Sequence, residues 1–160
     1  TKGKLDTQEL IEEILQFIKT KPEKSYEIVV GCDSSSEENP SFPIAVVVLR
    51  RGEGGRFFLK KIRYSKEQGR RFKSVKTRIL QEVLLSCELA LSLREAFEEE
   101  LLKMEKTPHY HFRYIHADVG ENGQTRDMIK EVVGLIRGNG FEPQIKPFSF
   151  AASVVADRYS

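Results

Sequence analysis

The chain has 160 residues, of which 39% are hydrophobic and 31% are charged, and its formal net charge is +2. These values predict a single soluble domain over residues 1–160 with one core, and no window approaches the roughly 20 apolar residues of a membrane span. Because there is no secretory signal pattern and the two cysteines have no zinc-site spacing, the sequence favours a cytoplasmic protein without a disulfide, a membrane partner or an organic cofactor.

The first half of the chain predicts a helix and then three strands. Asp6 or Thr7 can cap a helix whose apolar residues recur at helical spacing until Lys21 and Pro22 end it. Short, nearly continuous apolar runs separated by polar or glycine-rich loops predict strands at residues 26–31, 44–49 and 56–64.

The second half alternates helices and strands. An apolar stripe predicts a long helix over residues 74–104 that buries Leu84 and Leu91 among others. A strand at 110–117, a helix at 124–137, a strand at 141–146 and a short helix at 150–159 follow. This order predicts an α/β fold with a mixed five-stranded sheet, antiparallel over its first three strands and parallel in the fourth and fifth, flanked by helices and preceded by an extra N-terminal helix.

Four carboxylates lie where they could share a metal ion. Asp33 and Asp118 follow apolar runs, and Asp157 lies on the last helix together with Phe150 and Val154, which we expect in the core. An unpaired carboxylate in such a setting is costly and needs a cation or hydrogen bonds. Glu82 flanks the stripe of the long helix and can reach the same region.

Each of these acids has a simpler explanation. Asp33 can cap its own backbone, as Asp before Ser often does, and Glu82 can be a solvated helix residue whose place Glu88 takes. Asp127 is an alternative to Asp118. His116 shares a strand face with Asp118, but we expect it to be a hydrogen-bonded strand residue rather than a catalyst.

Residues 60–78 carry nine basic residues against one acid. Such a run is usually solvated surface, but here it leads into the helix that carries Glu82 and is interleaved with aromatic residues. It can therefore contact nucleic-acid phosphates without reading the base sequence. The candidate contacts are Arg70, Arg71, Lys73, Lys76 and Arg78.

The element order with its four acids resembles the ribonuclease H-like fold. More narrowly, the G-x-D-S turn at residues 31–34, residues 116–147 and the closing A-A-S-x-x-A-D-R-Y-S at 151–160 are similar to a family of small, largely uncharacterised proteins predicted to be ribonuclease-H-related nucleases. The resemblance covers residues 5–160.

This resemblance implies a two-metal-ion hydrolysis of phosphodiester bonds in RNA, a hybrid or structured DNA. Asp33 would bridge two Mg²⁺ or Mn²⁺ ions, with Asp157 completing the shell of one ion and Glu82 and Asp118 that of the other. The family's mobile histidine near the last aspartate has no counterpart after Asp118. A non-catalytic nucleic-acid or protein adaptor on the same fold is the alternative, and an actin-like or chaperone-like ATPase is disfavoured because one such domain cannot form a two-lobed cleft.

Overall fold

The computed structural model describes residues 6–160. Its first half consists of α1 (Thr7–Lys19), β1 (Ser25–Cys32), β2 (Ser41–Arg50), β3 (Gly54–Arg63), the short α2 (Lys66–Gly69), a 3-10 turn (Arg70–Phe72) and α3 (Val75–Glu100). Its second half consists of β4 (His109–His116), a 3-10 turn (Arg126–Met128), α4 (Ile129–Gly138), β5 (Glu142–Gln144), a π-helical segment (Ala151–Ala156) and a final 3-10 turn (Asp157–Tyr159).

The five strands form one mixed sheet in the order β3-β2-β1-β4-β5. β1 pairs antiparallel with β2, and β2 with β3, whereas β4 is parallel to both β1 and β5. The predicted fold class, with three antiparallel strands followed by two parallel ones, is therefore confirmed, and the structure shows that the change in pairing occurs at β1. Within residues 6–160, no helix is both long enough and apolar enough to cross a membrane.

Helices cover one face of the sheet. The side chains of Tyr26, Ile28 and Val30 point from β1 into the main core, where α1, α3 and α4 contribute their apolar faces. Asp6, one of the two residues predicted to cap α1, accepts a 2.8 Å hydrogen bond from the Glu9 amide. This cap and the buried apolar face of α1 hold the helix in the layer over the sheet.

The predicted apolar stripe of α3 is wrong in part. Leu84 and Leu91 are 40% and 42% exposed, and Leu85, Leu89 and Leu93 are buried instead. The reason is that α3 is packed against the sheet, α1 and α4 at once, so its buried face is broader than one stripe. Leu84 and Leu91, seven residues apart, share the remaining outer face.

The C-terminal segment, Ala151–Ala156 with the turn Asp157–Tyr159, covers part of the other sheet face. Its buried side chains are Ala151, Ala152 and Ala156, as expected for close packing. A Cβ added at Gly31 would lie 2.5 Å from the Ala152 nitrogen, so the bare glycine lets this backbone approach β1.

Two predictions for this region are wrong. Phe150 and Val154 are 38% and 47% exposed, because the segment is π-helical and its wider turn changes which residues share a face. β5 has only three residues, because Pro143 in its middle has no amide hydrogen to donate to a ladder.

Candidate active site

The candidate site lies at the edge of the sheet where the parallel strands β1 and β4 end. Asp33 follows β1 directly, and Asp118 follows β4 after one residue. The C-terminal segment packs against β1 and carries Asp157 to the same edge. Functional sites of α/β sheets collect at the carboxyl ends of parallel strands.

Glu82 reaches the site from α3 and is only 5% exposed. Its Oε2 accepts hydrogen bonds from the Ser34 amide at 2.8 Å and from the Ser34 hydroxyl at 2.5 Å. Burial raises the pKa of the Glu82 carboxyl to about 8, although the Ser34 bonds act in the opposite direction. The structure therefore connects the loop after β1 to α3 through a buried carboxylate.

Asp33 is the centre of the acidic group. Burial is the main reason why its pKa rises to about 9, followed by a hydrogen bond with the Asp157 side chain and by the negative charges of Glu82, Asp118 and Asp157. The four predicted acids thus come from four separate parts of the chain, and three of them act on the carboxyl of the fourth, Asp33. The hydrogen bond with Asp157 favours the protonated form of Asp33.

Asp118 is engaged by two protein donors on the same oxygen, Oδ1. The Ser153 hydroxyl donates to it at 2.7 Å, and the Lys146 ammonium lies 3.2 Å away. Ser153 is itself 2.7 Å from the Ser149 hydroxyl. The C-terminal segment is therefore tied to the loop after β4 as well as to β1.

His116 has a structural role in this arrangement. Its Nδ1 accepts a 3.0 Å hydrogen bond from the Ala151 amide, and its ring meets the edge of the Phe150 ring with centroids 4.6 Å apart. Burial lowers the pKa of His116 to about 4, so the ring is neutral near pH 7 and can act as an acceptor. The interpretation of His116 as a hydrogen-bonded strand residue agrees with these contacts.

The chemistry of this donor set fits a hard divalent cation. All four groups are carboxyls, whose oxygen atoms Mg²⁺ and Mn²⁺ prefer as ligands. Within residues 6–160, however, no three histidine, cysteine or acidic side chains converge as a formed metal-binding group. An ion would have to displace the proton that Asp33 holds near pH 7, and at Asp118 it would meet Lys146.

The alternative acids lie elsewhere. Glu88 is exposed and lines a small groove with Lys60 and Thr7, and Asp127 is exposed in the 3-10 turn before α4. The structure brings Glu82 and Asp118 to the group rather than these two.

Three polar residues of the site were not singled out from the sequence. Ser34 and Ser153 stand inside the G-x-D-S turn and the closing motif, so their position was a usable signal. Lys146 stands within residues 116–147, which also carried the resemblance, but its contact with Asp118 depends on how β5 lies beside the loop after β4.

The basic segment divides into cations with different surroundings. Arg70 and Lys73 border a groove of about 320 Å³ whose other wall contains Glu37 and Glu38. The Arg71 guanidinium lies 5.1 Å from the centre of the Phe72 ring.

The other two cations have protein partners. Lys76 pairs with Glu131 at 3.7 Å. Arg78 donates to the carbonyl oxygens of Phe72 and Lys73 at 3.2 and 3.0 Å. Arg70, Arg71 and Lys73 are therefore the cations most available to a ligand.

A mixed sheet of this order, with acids at the ends of its two central parallel strands, defines a ribonuclease H-like protein. The sequence profile of the family described as Ribonuclease H-like matches residues 9–160, and the chain belongs to that family. It is 27% identical over 165 aligned residues to the uncharacterized protein YkuK of Bacillus subtilis (strain 168), and the alignment covers 100% of this chain and 94% of that protein. No solved structure gives a significant match.

Proposed function

We propose that this chain is a metal-dependent nuclease that hydrolyses phosphodiester bonds of RNA or structured nucleic acid. Membership of the ribonuclease H-like family supports a nucleic-acid-related nuclease fold. The observation that carries the proposal further is the group formed by Asp33, Glu82, Asp118 and Asp157, which are distant in sequence and act on one another electrostatically.

The electrostatics of the acids support a role for cations. Asp33 and Glu82 both have raised pKa values because burial and neighbouring negative charges disfavour their ionised forms. A fold that only needed to be stable would gain by replacing such groups with neutral residues. Retaining them is reasonable if a divalent ion, Mg²⁺ or Mn²⁺, compensates their charges during function.

The protein's own part in this chemistry is to position the ligands. Ser34 fixes Glu82, and Ser153 fixes Asp118, so two of the four carboxylates are oriented before any ion arrives. Asp33 and Asp157 would hold the ions together with these two carboxylates. When bound, such ions generate a water nucleophile and stabilise the charge on the leaving oxygen.

The cations on one wall of the groove support a nucleic-acid substrate. Arg70 and Lys73 lie on this wall, opposite Glu37 and Glu38, and the groove borders the loop that follows Asp33. Cations of this kind bind phosphates and position a strand without reading its sequence. The substrate would then be selected by shape, among RNA–DNA hybrids, single strands and branched structures.

The experiment that tests the proposal is a Mg²⁺ and Mn²⁺ titration against labelled hybrid, single-stranded and junction substrates. Cleavage should require the ion and be abolished by Asp33→Asn. The control Asp127→Asn removes an exposed carboxylate outside the site and should cleave like the wild type. Cleavage by Asp33→Asn at the wild-type rate would refute the assignment.

A non-catalytic adaptor is the second candidate, and one observation favours it. Asp118 is already compensated by Lys146 and Ser153, so this carboxylate does not need a metal to be stable. An adaptor would bind nucleic acid in a salt-sensitive way and show no metal-dependent turnover, which the same titration detects.

A further inference from the structure

Lys146 is held in place at the site by its backbone. It lies beyond β5, and its amide donates a 2.8 Å hydrogen bond to the Val119 carbonyl. Val119 is the neighbour of Asp118, so this bond fixes the start of the lysine side chain beside the loop that carries the acid. The ammonium then ends 3.2 Å from Asp118 Oδ1.

Gly120 provides the path for the lysine side chain. A Cβ added at Gly120 would lie 3.0 Å from the Lys146 Cβ and 3.4 Å from its Cδ. Because the glycine has no side chain, the aliphatic part of Lys146 lies across the turn at close contact. The position of the ammonium therefore follows from packing at two points and not only from its attraction to Asp118.

The surroundings of this ion pair distinguish it from the other pairs of the chain. Lys21 and Lys24, for example, pair with Glu53, which is similarly exposed (29%) but lies outside the acidic group of the site. Lys146 instead meets a carboxylate that is 24% exposed and acts electrostatically on Asp33 and Glu82. A cation at this position is attracted by Asp118 and by each neighbouring carboxyl that is ionised.

We propose that the Lys146 ammonium is a built-in cation that competes with a divalent metal ion for Asp118. The inference rests on the proposed metal-dependent function. Its consequence is that the site fills in two unequal steps, first at Asp33 and Asp157, which have no ion-pair partner among residues 6–160, and then at Asp118 as Lys146 withdraws. By competing for Asp118, Lys146 sets the metal concentration at which the second ion binds and the site is complete.

The test measures Mn²⁺ binding without nucleic acid, by the paramagnetic resonance signal of free Mn²⁺. The wild type should bind one ion more tightly than a second. Lys146→Gln keeps most of the side chain and removes the charge, so the weaker site should tighten by roughly fivefold, the upper range for one partly exposed ion pair. Lys146→Arg keeps the charge and should retain the unequal affinities.

A matched control is Lys19→Gln, which removes the ammonium of an exposed pair with Glu100 on another part of the surface. It should bind Mn²⁺ like the wild type. If Lys146→Gln also binds like the wild type, the competition is refuted while the metal site stands. If neither the wild type nor any variant binds Mn²⁺, both the competition and the proposed function are refuted.

Discussion

Gly31→Ala tests whether the close contact between β1 and the C-terminal segment is needed for the site. The added Cβ would lie 2.5 Å from the Ala152 nitrogen and 2.8 Å from the Ala151 carbonyl carbon. Ordinary contact begins at 3.4 Å, so the segment has to recede by about 0.9 Å, the difference between 3.4 and 2.5 Å. Both contacted atoms are backbone, and rotation of a side chain does not relieve them.

The stability cost follows from this displacement. Overpacking of this kind costs about 1–3 kcal/mol, and the lower chain entropy of alanine in the unfolded state returns about 0.4–1 kcal/mol. We expect a net loss of about 1–2 kcal/mol, which lowers the Tm of a chain of this length by roughly 3–8 °C.

The effect on activity should be larger than the effect on stability. Asp157 lies on the segment that recedes, and a misplacement of about 1 Å in a catalytic group can cost about 100-fold in rate. Calorimetry and the cleavage assay, run at a temperature where the variant is fully folded, separate the two effects.

Gly134→Ala is the matched control for this substitution. A Cβ at Gly134 meets no atom within 4 Å, and the residue lies inside α4. Alanine in a helix should therefore raise the Tm slightly and leave cleavage unchanged. Wild-type stability and cleavage in Gly31→Ala would show that the segment does not need to pack this closely, and the reasoning would fail.

Three further predictions concern the acids and the basic segment. Without metal at pH 7, Asp33→Asn should be more stable than the wild type by roughly 1–2 kcal/mol, after discounting for partial exposure. Because the pKa of Asp33 is raised from 3.8 to about 9, the wild type should lose stability as the pH rises between these values. Parallel curves of Tm against pH for the two proteins would contradict this. Ser34→Ala should destabilise the fold by about 1–2 kcal/mol, measured by urea unfolding, because Glu82 loses its hydroxyl donor, and an unchanged midpoint would show that this bond contributes nothing. Arg71→Gln should reduce the slope of log affinity against log salt for a single-stranded nucleic acid by about one, whereas an unchanged slope would remove Arg71 from the interface.

Most of the fold could be predicted because its determinants are local. The strands are short apolar runs between turn residues, and their order restricts the sheet to few topologies. β5 shows where this fails, since Pro143 shortens a strand that looks regular in sequence. The π-helical form of the C-terminal segment was also not predicted, because a π-helix and an α-helix of this length have the same residue preferences.

The candidate site was predictable in its acids and less so in their partners. Asp33 and Asp118 could be placed because a residue at the end of a parallel strand has a known position in the fold. The hydrogen bond from Ser153 to Asp118 joins residues 35 positions apart, and that of Ser34 to Glu82 joins residues 48 positions apart. Such contacts depend on packing distances that one sequence does not contain.

The C-terminal segment has a thermodynamic consequence for the whole site. Its docking is favoured by the contacts of Ala151 with His116 and of Ser153 with Asp118, and it is opposed by the approach of Asp157 to Asp33 when both carboxyls are ionised. If the proposed cation bound between those two carboxylates, it would reverse the sign of the opposing contribution. Docking of the segment and binding of the ion would then be linked equilibria, and each would favour the other by the same factor.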